Sequence, residues 1–200
     1  MSGMLVLILW LASTAAQAGV PEVYQASYDL EAAQDYRGAL VKMDDLSGLG
    51  EDDYVVHLRR GWLLYLVGRY ADAVQAYKQA EQRAPGSVEA RTGLLLPLMA
   101  LRRWAEAEAE CRSILEVAPH NYLASSRLAY VLYSSGRYAD AATQYGAVLK
   151  RYPSDVEMRT GLGWSQLKQG RSDAARSTFM AVLRVAPSHV SAGQGLAEAR

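Results

Sequence analysis

Residues 68–87 read GRYADAVQAYKQAEQRAPGS, and residues 136–155 read GRYADAATQYGAVLKRYPSD. The two stretches lie 68 residues apart, and half that interval recurs more widely. Pro85, Pro119, Pro153 and Pro187 follow one another at a strict step of 34 residues. Twelve residues before each proline stands Ala73, Ala107, Ala141 or Ala175. Eight residues before it stands Tyr77, Cys111, Tyr145 or Phe179. A fixed period of this length marks a repeat architecture, in which each unit buries its apolar face on its neighbours. A second echo, Val88–Leu94 against Val156–Leu162, has the 68-residue spacing as well and points to duplication of a two-repeat unit.

The pattern W-x2-L-G-x2-Y, then A-x3-F, then Pro, belongs to the tetratricopeptide repeat. Its second half is kept at Ala73/Tyr77/Pro85, Ala107/Cys111/Pro119, Ala141/Tyr145/Pro153 and Ala175/Phe179/Pro187. Its first half is looser. His57, Arg91, Ser125 and Arg159 stand at the tryptophan position, and Arg60 replaces the leucine kept as Leu94, Leu128 and Leu162. Gly61 and Gly163 keep the glycine, Ala129 imitates it, and Leu95 departs from it. The chain resembles the tetratricopeptide repeat family over roughly residues 20–200.

That resemblance implies an all-α fold, a right-handed superhelical solenoid of helix-turn-helix units at 54–87, 88–121, 122–155 and 156–189. Residues 19–53 read as a degenerate N-terminal repeat, with Tyr36 and Ala39 in register and Glu51 in place of the proline. Residues 190–200 read as a C-terminal capping helix. Gly68, Gly136 and Gly170 suit the left-handed residue that ends a first helix. Ser87, Asn121 and Asp155 suit the N-caps of the next ones. Pro97 falls inside a first helix and is expected to bend it, which with Leu95 makes 88–121 the irregular unit.

The family lines a concave groove with its first helices. Carried onto this chain, the ninth position of each unit gives Tyr28, Trp62, Leu96, Tyr130 and Trp164, and one turn on come Tyr65, Met99 and Tyr133. Arg59 and Arg127 alternate with Gly93 and Gly161 at the sixth position, and Lys168 lies near the end. Either these rings fill space between helices, or they form a recognition surface, since aromatic and Arg anchors carry much of binding energy. A protein or peptide segment is the expected guest, and a glycan stacked on the rings is a further one. The family's grip on chaperone C-terminal carboxylates needs Lys and Asn where Leu58, Trp62 and Tyr130 stand, so that mode does not fit.

Composition narrows the remaining classes. Lys and Arg number 21 against 21 Asp and Glu, and no basic cluster occurs, so a nucleic-acid footprint is absent. His57, His120 and His189 are scattered without metal-ligand spacing. Cys111 fills a core slot, which suits a buried inert thiol better than a nucleophile. Glu51-Asp52-Asp53 precedes a helix start, where negative charge favours the dipole. No enzyme, metal or cofactor is therefore expected.

The apolar run Met4–Ala12, followed by Ala16-Gln17-Ala18, reads as a signal peptide over residues 1–18. The expected protein is exported, periplasmic or secreted, and keeps no stable membrane span after cleavage. Its expected function is a non-enzymatic scaffold for protein–protein interaction in a bacterial cell envelope. A part in an envelope polysaccharide-export or outer-membrane assembly machine is one alternative. A self-assembling structural repeat protein is the other.

Overall fold

The computed structural model describes residues 19–48 and 53–199, so the signal-peptide reading of 1–18 lies outside the described residues. Among the described residues there are eleven helices and no strand. First helices open at Val20, Tyr54, Val88, Tyr122, Val156 and Val190, each 34 residues after the last. Second helices open at Tyr36, Tyr70, Trp104, Tyr138 and Ser172 with the same step.

The chain divides into two compact units, residues 1–51 and 52–200. In the first, α1 (Val20–Ala32) and α2 (Tyr36–Gly48) form a helical hairpin. Pro21 sits in the first turn of α1, where its missing N–H costs nothing. Ser27, fully buried, donates its hydroxyl to the Ala39 carbonyl at 3.0 Å and ties the two helices together.

The second unit holds α3 (Tyr54–Leu66), α4 (Tyr70–Arg83), α5 (Val88–Ala100), α6 (Trp104–Val117), α7 (Tyr122–Ser134), α8 (Tyr138–Arg151), α9 (Val156–Lys168), α10 (Ser172–Val185) and α11 (Val190–Glu198). Local chemistry explains each boundary. Asp53, Ser87, Asn121, Asp155 and His189 accept the backbone N–H three residues on, at 2.9–3.2 Å, and so cap α3, α5, α7, α9 and α11. Each such cap contributes about 1 kcal/mol. Histidine at the last of these was not legible as a cap in the sequence.

Second helices stop at the residue before each proline. Ala84, Ala118, Tyr152 and Ala186 take φ between −123° and −135°, outside the helical region that a following proline disfavours. The turns inside each repeat close through one left-handed residue, with the next N–H reaching five residues back. Gly68, Gly136 and Gly170 supply that conformation at φ 81°, 78° and 75°, whereas Arg102 is forced into it at φ 55°.

Packing then sets the curvature. In this unit α3, α5, α7, α9 and α11 each touch the next in turn, while α4, α6, α8 and α10 do not reach one another among the described residues. The first helices α3, α5, α7, α9 and α11 therefore form the inner, concave layer of this unit.

The core is a series of rings wedged between glycines. A Cβ on Gly61 or Gly93 would come within 2.9 Å or 2.3 Å of the Tyr77 ring. Gly161 stands in the same relation to Tyr145, and Gly163 and Gly195 to Phe179. Each ring thus sits against the first helix of its own repeat and that of the next. The unit 88–121 inverts this arrangement. Its ring position is Cys111, its own first helix contributes the large Leu95, and the next first helix contributes Arg127 instead of glycine. Volume lost at one position is restored at its neighbours, as close packing requires. Pro97 is buried within α5, which continues to Ala100. The carbonyl of Gly93 cannot receive the usual helical bond there, because proline has no N–H.

Candidate functional site

The sequence-derived groove residues divide into three groups once burial is known. Tyr28 lies on α1 in the first unit and is 51% exposed. In the second unit, Trp62 stacks on Tyr65 with centroids 5.9 Å apart and planes 27° apart, and Tyr65 leans on Tyr70. Leu96 and Met99 are half-buried on α5, with Met99 packed against the core on both sides. Lys168 is exposed in the last turn of α9.

The two arginines differ from the rings. Arg59 is only 6% exposed, so it belongs to the buried layer and not to a displayed ladder. Arg127 is half-buried, and its guanidinium donates to the Thr92 carbonyl at 2.8 Å. Burial pushes its pKa below the usual arginine value. Burial thus sets the two arginines apart from Tyr28 and Lys168, which are exposed. Arg127 lies beside Cys111, where the preceding repeat carries no aromatic ring to fill the space.

The third group converges. Tyr130 and Tyr133, one turn apart on α7, line a hollow of about 250 Å³ with Trp164 on α9. Tyr130 is 47% exposed and meets Trp104 edge-on at 6.3 Å. Tyr133 meets Tyr138 edge-on at 5.4 Å. Trp164 rests edge-on against the core ring Phe179 at 5.4 Å, and its indole N–H donates to Ser191 Oγ at 2.9 Å. Trp164 is anchored structure on one side and wall of a hollow on the other.

Sequence reasoning missed the rest of this hollow. Glu157 and Met158 from the first turn of α9, and Ser191 from α11, complete the wall. Gly161 gives the hollow its depth, because the ring of Tyr145 occupies the space a side chain would take. The available signal was a glycine at the sixth position next to rings at the ninth.

Electrostatics in the hollow are simple. Burial pushes the Tyr145 and Tyr133 hydroxyls upward, with Glu198 adding to the effect at Tyr133. His189 Nδ1 accepts the Ala192 N–H, so its proton lies on Nε2 and is donated to Glu157 Oε1 at 3.0 Å. That neutral ring leaves the carboxylate charge in place. Cys111, fully buried, has its thiol pushed up to about 12 by desolvation and is no nucleophile at neutral pH.

Comparison with known proteins agrees with this architecture. The tetratricopeptide repeat family matches over residues 24–88, 58–122, 92–156, 126–190 and 160–199. The chain belongs to the tetratricopeptide repeat family. Among curated proteins, none matches the sequence significantly. Solved structures of this repeat type are similar in fold. A tetratricopeptide repeat protein from Parabacteroides merdae ATCC 43184 superposes with a TM-score of 0.81 at 16% identity, covering 90% of this chain and 71% of that one. A MamA structure from Desulfovibrio magneticus RS-1 gives 0.77 at 15% identity, over 84% and 94% of the two chains. YrrB, described as a TPR protein with an unusual peptide-binding site, gives 0.72 at 16% identity, over 89% and 91%. Likeness at such identities is a likeness of fold. This repeat protein is an all-α helical solenoid of the kind that serves as a protein-interaction scaffold.

Proposed function

We propose that this tetratricopeptide repeat protein is an exported, non-enzymatic scaffold of a bacterial cell envelope that holds a protein or peptide segment on its first-helix face. The observation that carries this reading is the convergence of Tyr130, Tyr133 and Trp164 around one open hollow. Core positions are already filled by Tyr77, Cys111, Tyr145 and Phe179, so the partly exposed ring of Tyr130 has no full duty in the core. Exposed aromatic side chains on a rigid helical face supply contact area at little entropic cost. A protein of the same fold, YrrB, is described as having a peptide-binding site. Export is supported by the apolar run and A-x-A pattern of residues 4–18. Among the described residues no helix is long and apolar enough to cross a membrane.

The test is capture from envelope extracts with protein beginning at Gly19, comparing wild type with Trp62→Ala and Tyr130→Ala. A partner retained by wild type and lost from a variant of unchanged thermal stability is the expected result. Equal retention by all three proteins would place the binding surface elsewhere. A carbohydrate array run alongside identifies a glycan guest, which would overturn the peptide reading. Mass spectrometry of the exported fraction should find Gly19 as the first residue, and an intact Met1 on soluble cytosolic protein would remove the export reading.

A further inference from the structure

The hollow between α7, α9 and α11 has a chemical bias of its own. Its walls are the rings of Tyr130, Tyr133 and Trp164, and the only charged side chain lining it, among the described residues, is Glu157. Glu157 is 71% exposed, and its Oε1 accepts a hydrogen bond from His189 Nε2. Its Oε2 meets no protein donor among the described residues. The carboxylate of Glu198 is close enough to act on Tyr133. Tyr77, two repeats before Tyr145, feels the positive charge of Arg127 as well as the negative charge of Glu89. The ring-lined hollow is thus electronegative, through the Glu157 carboxylate at its rim and through the negative faces of its rings. At about 250 Å³ the hollow is smaller than the roughly 300–1,000 Å³ typical of drug-sized ligands, and suits one long side chain.

We propose that this hollow takes a basic side chain, the guanidinium or ammonium of an Arg or Lys on the bound segment, between the rings of Tyr130, Tyr133 and Trp164 with Glu157 as its counter-ion. Rings attract a cation over their faces, and the carboxylate at the rim fixes its charged end. An acidic side chain would meet Glu157 with like charge, and an apolar one would leave Glu157 without a partner of opposite sign. This inference rests on the proposed function, because it names the residue of the guest that the groove would read.

The experiment is a random peptide library selected on the protein beginning at Gly19, followed by titration of retained peptides. Retained peptides should share a Lys or Arg at one fixed place. Replacing that residue by Gln should weaken binding about tenfold, the scale of losing an aromatic-bound cation. Glu157→Gln should weaken it about twofold to fivefold, as an exposed ion pair does, with a smaller effect at high salt. Glu157→Lys should turn the preference toward Asp or Glu at the same place. Thermal melts of these variants should match wild type, since Glu157 is a surface residue. Peptides that lose binding in Tyr130→Ala but show no basic preference, or that keep it in Glu157→Lys, would overturn this inference and leave the scaffold reading standing. No retained peptide, or equal retention by Tyr130→Ala, would overturn both.

Discussion

Tyr122 donates its hydroxyl to Asp155 Oδ2 at 2.6 Å, while Asp155 Oδ1 accepts the backbone N–H of Met158 at 3.0 Å. One carboxylate therefore caps the first helix of a repeat and holds the first residue of the repeat before it. Tyr54 makes the equivalent reach to Ser87 and Glu89, both contacts at 2.8 Å. In a solenoid with no long-range closure, such links between neighbouring repeats raise the cooperativity that nearest-neighbour packing supplies.

Tyr122→Phe should lower stability by about 0.5–1 kcal/mol, the net worth of a partly exposed hydrogen bond. The link has a pH signature as well. The Asp155 carboxylate, with burial, pushes the Tyr122 hydroxyl from 10.0 up to about 12. A group raised in the folded state contributes its full stability below its unfolded value and loses it as pH climbs through the folded one. Denaturation midpoints of wild type should therefore fall between pH 10 and about 12 more steeply than those of Tyr122→Phe. Parallel curves would show that the hydrogen bond does not stabilise the fold.

Gly161→Ala should cost about 1–3 kcal/mol, because overpacking forces neighbours off their rotamers. The new Cβ would lie 2.4 Å from the Tyr145 ring, so the ring would have to shift. In a Tyr145→Leu background the same substitution should cost much less. A double-mutant cycle by chemical denaturation measures the coupling, and additivity of the two changes would contradict the wedge geometry.

Arg102→Gly should stabilise the protein by up to about 1 kcal/mol, since the left-handed φ of 55° penalises every residue with a Cβ. The same turn already holds glycine at Gly68, Gly136 and Gly170. Urea midpoints of the variant and wild type decide the matter, and a lower midpoint for Arg102→Gly would mean that its side chain has a structural use.

Trp164→Ala and Tyr130→Ala should separate stability from display. Trp164 rests on Phe179 and is bonded to Ser191, so its removal should cost about 1–3 kcal/mol. Tyr130 is half exposed, and its removal should cost less than about 1 kcal/mol. Equal thermal shifts for the two variants would show that Tyr130 is packing as much as Trp164 is.

The strict spacing of Pro85, Pro119, Pro153 and Pro187 was readable without coordinates because the forces behind it are local. A proline excludes helix at the preceding residue, a capping side chain reaches three residues on, and a glycine relieves one left-handed turn. These rules act within a few residues, so sequence alone determines an all-α repeat and the members of its core such as Ala141 and Phe179.

Display on the concave layer followed different rules. Arg59 and Arg127 occupy the same register as Gly93 and Gly161, and helical periodicity gives all four one face. At Gly93, Arg127 and Gly161, whether that face is open depends on the residue sixteen earlier in the chain, carried on another helix. Where that residue is Tyr145, only Gly161 fits, and the space beside it becomes a hollow. Where it is Cys111, the arginine folds inward and donates to Thr92. The convergence of Tyr130, Trp164 and Glu157 likewise joins residues from two helices whose separation is set by packing. Caps and breaks are set within a few residues of one helix, whereas the hollow exists only because volumes must balance between helices.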